Sequence, residues 1–268
     1  MRPIKRLASL FALLSVTSLY CQEIRQANVL VFYGKTNPDK IRDYKYVILE
    51  SEQFNRLDIK LMKESNELVL GYISMGEVAP ARYYYTDLKD KTLGKNEIWD
   101  SYYLNPADST TRSVLMNLVD RIKEKGFNGL FLDTVDAYGP WGSTKDKVDD
   151  FISLLQEIKQ KHPDFHLMQN SGVPLVSKSK DYINSVALES VVTDYNFDKS
   201  TYNLRTSRGF EERVKELKEM KSAYNMPVVL IEYADTKRLY NRVKQRLIPL
   251  KWDYFIGNID LAEIPKFK

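Results

Sequence analysis

The chain has one cysteine and two histidines in 268 residues. A single thiol excludes an internal disulfide and a cysteine-built zinc site. Two histidines, His162 and His166, leave little material for a histidine triad or a multi-histidine metal centre. They stand four apart, a metal-like spacing, but Pro163 lies between them at a helix end. They should not share a helical face, and they are read as surface residues. Charge of one sign is also scarce. Forty Lys and Arg against 36 Asp and Glu give +4, and Arg2, Lys5 and Arg6 near the start leave only +1 for the remainder. That is too little for a nucleic-acid footprint. The first glycine-containing turn, Gly34-Lys35-Thr36-Asn37, lacks the spacing of a dinucleotide loop. No repeat, linker or low-complexity tract interrupts the chain.

Long apolar runs are limited to one. Residues 1–21 combine a basic start, the run Leu7–Val16 and small polar residues up to Cys21. This is the pattern of an export signal, too short to span a bilayer. Cys21 is a candidate lipid attachment point, although Tyr20 stands where such sites carry a small residue. The expectation is an exported protein, periplasmic, outer-membrane-anchored or extracellular in a bacterium, that touches a membrane only through Cys21 if at all. Residues 24–268 then form the working domain.

That domain alternates apolar runs with amphipathic stretches. The strand candidates are Asn28–Gly34, Tyr44–Glu50, Leu68–Ser74, Phe127–Asp133, Phe165–Asn170, Ser185–Glu189, Val228–Tyr233 and Trp252–Asn258. Most are apolar without alternation, as strands buried on both faces of a parallel sheet should be. Helical periodicity fills Ser109–Lys125, Thr144–Lys161, Phe210–Ala223 and Lys237–Leu247, with Gly126, Pro163, Pro227 and Pro249 beyond their ends. Eight strands with intervening helices predict a single α/β domain, a (β/α)8 TIM barrel. An open doubly wound sheet is the alternative. The connection Met75–Ala107 is long enough to be functional in its own right.

A barrel sets its site at the C-terminal strand ends. Those ends offer Glu50, Glu77, Asp133, Asp136, Asn170, Glu189, Glu232 and Asp235. Some of these acids have a plain structural alternative: Asp136 and Asp235 could cap helices, and Glu232, between Ile231 and Tyr233, could be a buried anchor. Asp133 and Glu189 each close an apolar strand, so their side chains are expected in the mouth. Carboxylates without histidine, thiol or phosphate loop suggest glycosidic-bond chemistry, one acid protonating the leaving oxygen and the other attacking the sugar or activating water. The 18 tyrosines against 11 phenylalanines, with Tyr83-Tyr84-Tyr85, Trp99, Tyr102, Tyr103, Tyr138 and Trp141 in loops, fit a cleft where sugar faces stack.

Three segments carry a more specific signal: 70–82 (LGYISMGEVAPAR), 98–106 (IWDSYYLNP) and 125–138 (KGFNGLFLDTVDAY). They resemble glycoside hydrolase family 114, the endo-α-1,4-polygalactosaminidases and related hydrolases, over nearly the whole chain after the leader. The resemblance implies a barrel acting on an amino-sugar polysaccharide, with no cofactor and no metal. It places the catalytic pair at Asp133 and Glu189 and brings Tyr72, Glu77, Arg82, Asp136, Tyr138 and Asn170 to the substrate, with Glu232 added as a rim residue. Thr134 stands where many members carry Asn, and VVTDYNF follows Glu189 in place of an aromatic and acidic cluster.

The apolar neighbours Val186–Leu188 and Val191-Val192 make Glu189 the expected general acid, with Asp133 kept ionised by hydrogen bonds from Tyr72, Asn170 and Tyr138. The reverse assignment stands beside it. Two further readings remain open at this level: a catalytically silent barrel that binds glycan or a partner, and a metal-dependent sugar enzyme.

Overall fold

Eight of the apolar runs become eight parallel strands of one sheet: β1 (Val29–Phe32), β2 (Tyr46–Leu49), β3 (Leu68–Ser74), β4 (Gly129–Asp133), β5 (His166–Asn170), β6 (Ser185–Glu189), β7 (Val228–Tyr233) and β8 (Asp253–Gly257). They pair in chain order, and β8 returns beside β1. The computed structural model describes residues 28–267. The proposed leader and Cys21 lie outside the described residues. No described helix is long and apolar enough to cross a membrane.

The strands are almost wholly buried, since the barrel interior covers one face and helices the other. The helices of eight residues or more are α1 (Arg56–Lys63), α2 (Ser109–Glu124), α3 (Val148–Lys161), α4 (Ser207–Tyr224) and α5 (Lys237–Leu247). Their 3.6-residue periodicity sets one apolar stripe inward: Leu115, Leu118, Val119 and Ile122 on α2, and Phe151, Leu154, Leu155 and Ile158 on α3. α1 begins with a capping box in which Asn55 accepts from the backbone of Leu57 and Asp58 while Asp58 accepts from Asn55 N.

The seam between β1 and β8 is tied at both ends. Below, Asp253 accepts from Asn28 Nδ2 and Lys45 Nζ, each at 2.6 Å. Above, Tyr33 N donates to the Leu261 carbonyl at 2.7 Å. The histidines are not simple surface residues. His162 closes α3 half-buried against Asp120 (2.8 Å), and His166 opens β5 half-buried against Ser185 Oγ (2.8 Å). Each packs under the barrel wall because the chain turns inward at Pro163 to begin the strand.

Two insertions rise over the mouth. After β3, the short strands Glu77–Val78, Lys95–Asn96 and Ser101–Tyr103 form a small antiparallel sheet. After β6, Thr193–Asn196 and Thr201–Leu204 form an antiparallel hairpin.

Candidate active site

Three neighbouring strands end in the central side chains: β4 in Asp133, β5 in Asn170 and β6 in Glu189. The residue after each, Thr134, Ser171 and Ser190, takes a left-handed conformation with φ of 59°, 62° and 55°. The chain therefore turns sharply away as soon as the functional side chain has been delivered. For a β-branched residue this conformation is costly. At Thr134 local bonds offset the cost: Oγ1 accepts from Gly76 N at 2.9 Å and lies 2.8 Å from Ser74 Oγ. Gly76 must be glycine, because a Cβ there would collide with the Thr134 carbonyl oxygen.

Asn170 Nδ2 donates to Asp133 Oδ1 at 2.8 Å and to Glu189 Oε1 at 2.7 Å. Both oxygens sit on one nitrogen, so these two distances cap the gap between them at about 5.5 Å. The outer oxygens are held by tyrosines. Tyr72 Oη donates to Asp133 Oδ2 at 2.9 Å, and Tyr233 Oη donates to Glu189 Oε2. Tyr33 meets the Tyr72 ring edge-on at 5.0 Å. Burial, and then the charge of Asp133, raise the Glu189 pKa against the pull of the Tyr233 and Asn170 hydrogen bonds. Burial followed by neighbouring carboxylates holds the hydroxyls of Tyr33, Tyr72 and Tyr233 well above the usual tyrosine range, so they remain donors.

These groups open into a cavity of about 620 Å³ that Glu77, Arg82, Asp136, Trp99, Asp194, Tyr195, Phe197 and Asp260 also line. Glu77 is buried and accepts from Asn96 Nδ2 at 3.0 Å and from Ser101 Oγ. Arg82 pairs with Glu50 at 2.8 Å and lies over the Tyr72 ring. Asp136 is open to the cavity, and desolvation by the crowded walls, then Asp133 and Glu77, raises its pKa.

Two of the expected rim residues face elsewhere. Tyr138 is buried in a 3-10 turn, donates to the Met75 carbonyl at 2.8 Å and stacks on Phe151 at 4.7 Å. The turn carries its hydroxyl back beneath β3, so the expected bond to Asp133 does not form. Glu232 is fully buried and accepts from Val191 N, Val192 N, Thr193 N and Thr193 Oγ1 at 2.6–3.0 Å. It anchors the backbone after Glu189 and does not line the cavity. Tyr33, Tyr233 and the hairpin aromatics were not anticipated from the sequence. The available signal was position: each of the two tyrosines lies at or one residue beyond the end of an apolar strand. Among the described residues, no group of three or more His, Cys, Asp or Glu side chains is placed to hold a metal ion.

The profile of glycoside-hydrolase family GH114 matches residues 23–252. The chain belongs to this family. An uncharacterized protein of Methanocaldococcus jannaschii is 23% identical over 240 residues, 83% of this chain and 67% of its own length. The glycoside hydrolase domain of PelA from Pseudomonas aeruginosa superposes with a TM-score of 0.79 at 21% identity, covering 89% of this chain and 97% of that one. Aspergillus fumigatus Ega3, solved in complex with galactosamine, gives 0.68 at 15% identity, covering 90% and 94%. At these identities the solved structures establish the shared barrel. Family GH114 membership makes the protein a glycoside hydrolase.

Proposed function

We propose that the protein is an exported hydrolase that cuts α-1,4-linked galactosamine-type polysaccharide with Asp133 and Glu189 as its catalytic pair. One observation supports the mechanism: Asn170 Nδ2 holds an oxygen of each carboxyl, which keeps those two nearest oxygens no more than about 5.5 Å apart. Retaining glycosidases have carboxyls roughly 5–5.5 Å apart, whereas inverting ones leave about 6.5–9.5 Å for a water. The reading is therefore a double displacement. Glu189, with its raised pKa, protonates the glycosidic oxygen as Asp133 attacks the anomeric carbon, and the bond to the leaving sugar breaks. Glu189 then takes a proton from water, whose oxygen displaces Asp133 and restores the α configuration.

The charge of the cleft supports the amino-sugar assignment. Its lining includes Glu77, Asp133, Asp136 and Asp260 against Arg82, which is already paired with Glu50, while Asp194 pairs with Arg205 and Glu189 holds its proton. Such a cleft attracts a protonated amine. The galactosamine in the Ega3 structure points the same way. Export rests on residues 1–21, either removed or retained as an anchor at Cys21, and mass spectrometry of the native protein should find no intact Met1.

The test is hydrolysis of α-1,4-galactosamine polymer, counted as reducing ends, with the first product examined by NMR. The α anomer should appear first. Asp133→Asn and Glu189→Gln should each lower turnover by about 10²–10⁴-fold, the usual scale of an acid–base contribution, while polymer binding persists. A β product would rule out the double displacement. Polymer bound but never cut by the wild type would make this a binding barrel.

A further inference from the structure

A second cavity of about 450 Å³ adjoins the catalytic one. Glu77, Asn96, Asp136 and Ser171 line both. Its outer wall is the turn Gly139–Gly142, closed by Gly142 N donating to the Gly139 carbonyl at 2.9 Å, with Pro140 and Trp141 at its centre. Pro140 fixes its own backbone angle. A Cβ on Gly142 would collide with the Ala137 carbonyl oxygen, so the turn sits flat on the segment beneath. The buried Thr144 clamps it from the far side, donating through N and Oγ1 to the same carbonyl, each at 3.0 Å.

On this rigid support Trp141 is 87% exposed. A flexible loop could fold such a ring onto the surface, whereas this turn holds it out at the rim of a cavity. A preset aromatic face avoids ordering cost when a ligand arrives. Walls that mix Arg213, Glu216 and Asn96 with Val173, Pro174 and Leu188 beside the Trp141 platform suit a sugar ring, with its apolar C–H face and hydroxylated edge. Asp136 lines both cavities at their junction and forms no ion pair among the described residues. It is open to an amine on a glycan crossing from one cavity to the other.

We infer that this chamber is a second saccharide subsite, taking glycan units that follow those in the catalytic cavity, with Trp141 as the stacking platform. The inference rests on the glycan reading of the catalytic cavity given above. It assigns Trp141 a role in recognising chain length, separate from bond cleavage.

The experiment is calorimetric binding of α-1,4-galactosamine disaccharide and hexasaccharide to the full chain, with every Trp141 form carried on a Glu189→Gln background that binds the oligomers without cutting them. The form with Trp141 intact should bind the hexasaccharide more tightly. Trp141→Ala should reduce the hexasaccharide-to-disaccharide affinity ratio by about tenfold, the scale of one truncated aromatic anchor, and Trp141→Phe should keep most of it. Unchanged melting of both variants would confirm that folding is intact, as expected for so exposed a ring. A ratio indifferent to Trp141→Ala, with both oligomers still bound, overturns the subsite alone. A form with Trp141 intact that binds neither oligomer overturns the glycan reading of the catalytic cavity, and the subsite falls with it.

Discussion

Asn170 spends both of its N–H groups on the two carboxylates, while its Oδ1 is buried without a partner. The amide orientation is thereby fixed, since a flip would set an acceptor against two acceptors. Tyr233 is the complementary control on Glu189. Its hydroxyl favours the ionised carboxylate, so Tyr233→Phe should raise the Glu189 pKa further. If Glu189 is the general acid, activity falls as pH rises through that pKa. The alkaline limb of the kcat profile should then move to higher pH in Tyr233→Phe, whereas an acid limb that moved to higher pH instead would reverse the assigned roles. Neither tyrosine was legible in advance because a chain with 18 of them gives no reason to select two. The position of Asp133 and Glu189 at the mouth was legible because each is the last residue of an apolar strand.

At the scale of elements, the eight barrel strands were readable because burial on both faces leaves a continuous apolar run. β3, β6 and β7 begin and end where that run does. α1 was missed because only Ile59 and Met62 of its eight residues are buried. The connection Met75–Ala107 stood out by its length, but the strands inside the two insertions were missed for a different reason. Their strands are two to four residues long and face the cleft, so their sequences are polar and lack period. These insertions meet where Trp99 and Phe197 touch edge-on at 4.9 Å, 57% and 50% exposed. Trp99→Ala should raise KM for polymer by about tenfold with a smaller effect on kcat, as loss of binding surface does.

The hairpin itself depends on Glu232. Burial pushes the Glu232 carboxyl up to about 7 against the pull of its four donors. Glu232→Gln would turn an NH₂ toward some of those donors and leave them unpaired. The expected loss is about 2–4 kcal/mol, read as a lower melting temperature. Activity should fall as well, through displacement of the backbone after Glu189.

For the whole molecule, acid sensitivity has an identifiable contributor beneath the barrel, far from the chemistry. Burial, then Lys159 and Lys45, depress the His166 pKa to about 4. Between that value and the ordinary 6.5 the unfolded chain binds a proton that the folded one refuses. Stability should therefore be complete above pH 6.5 and fall as pH drops toward 4, by on the order of 2–3 kcal/mol from this group. His166→Gln should flatten that part of a denaturation series.

The seam between β1 and β8 bears on the order in which the molecule comes into being. Tyr33, near the start of the barrel, takes its backbone partner from Leu261, and Ile259, Asp260 and Leu261 line the catalytic cavity. A chain emerging from the ribosome makes Asp133, Asn170 and Glu189 long before it makes that wall. Until residues 259–261 are made, these three side chains face a trough that lacks one wall. The last wall of the cavity is therefore laid against the first strand of the barrel, and the two ends of the sheet complete it together.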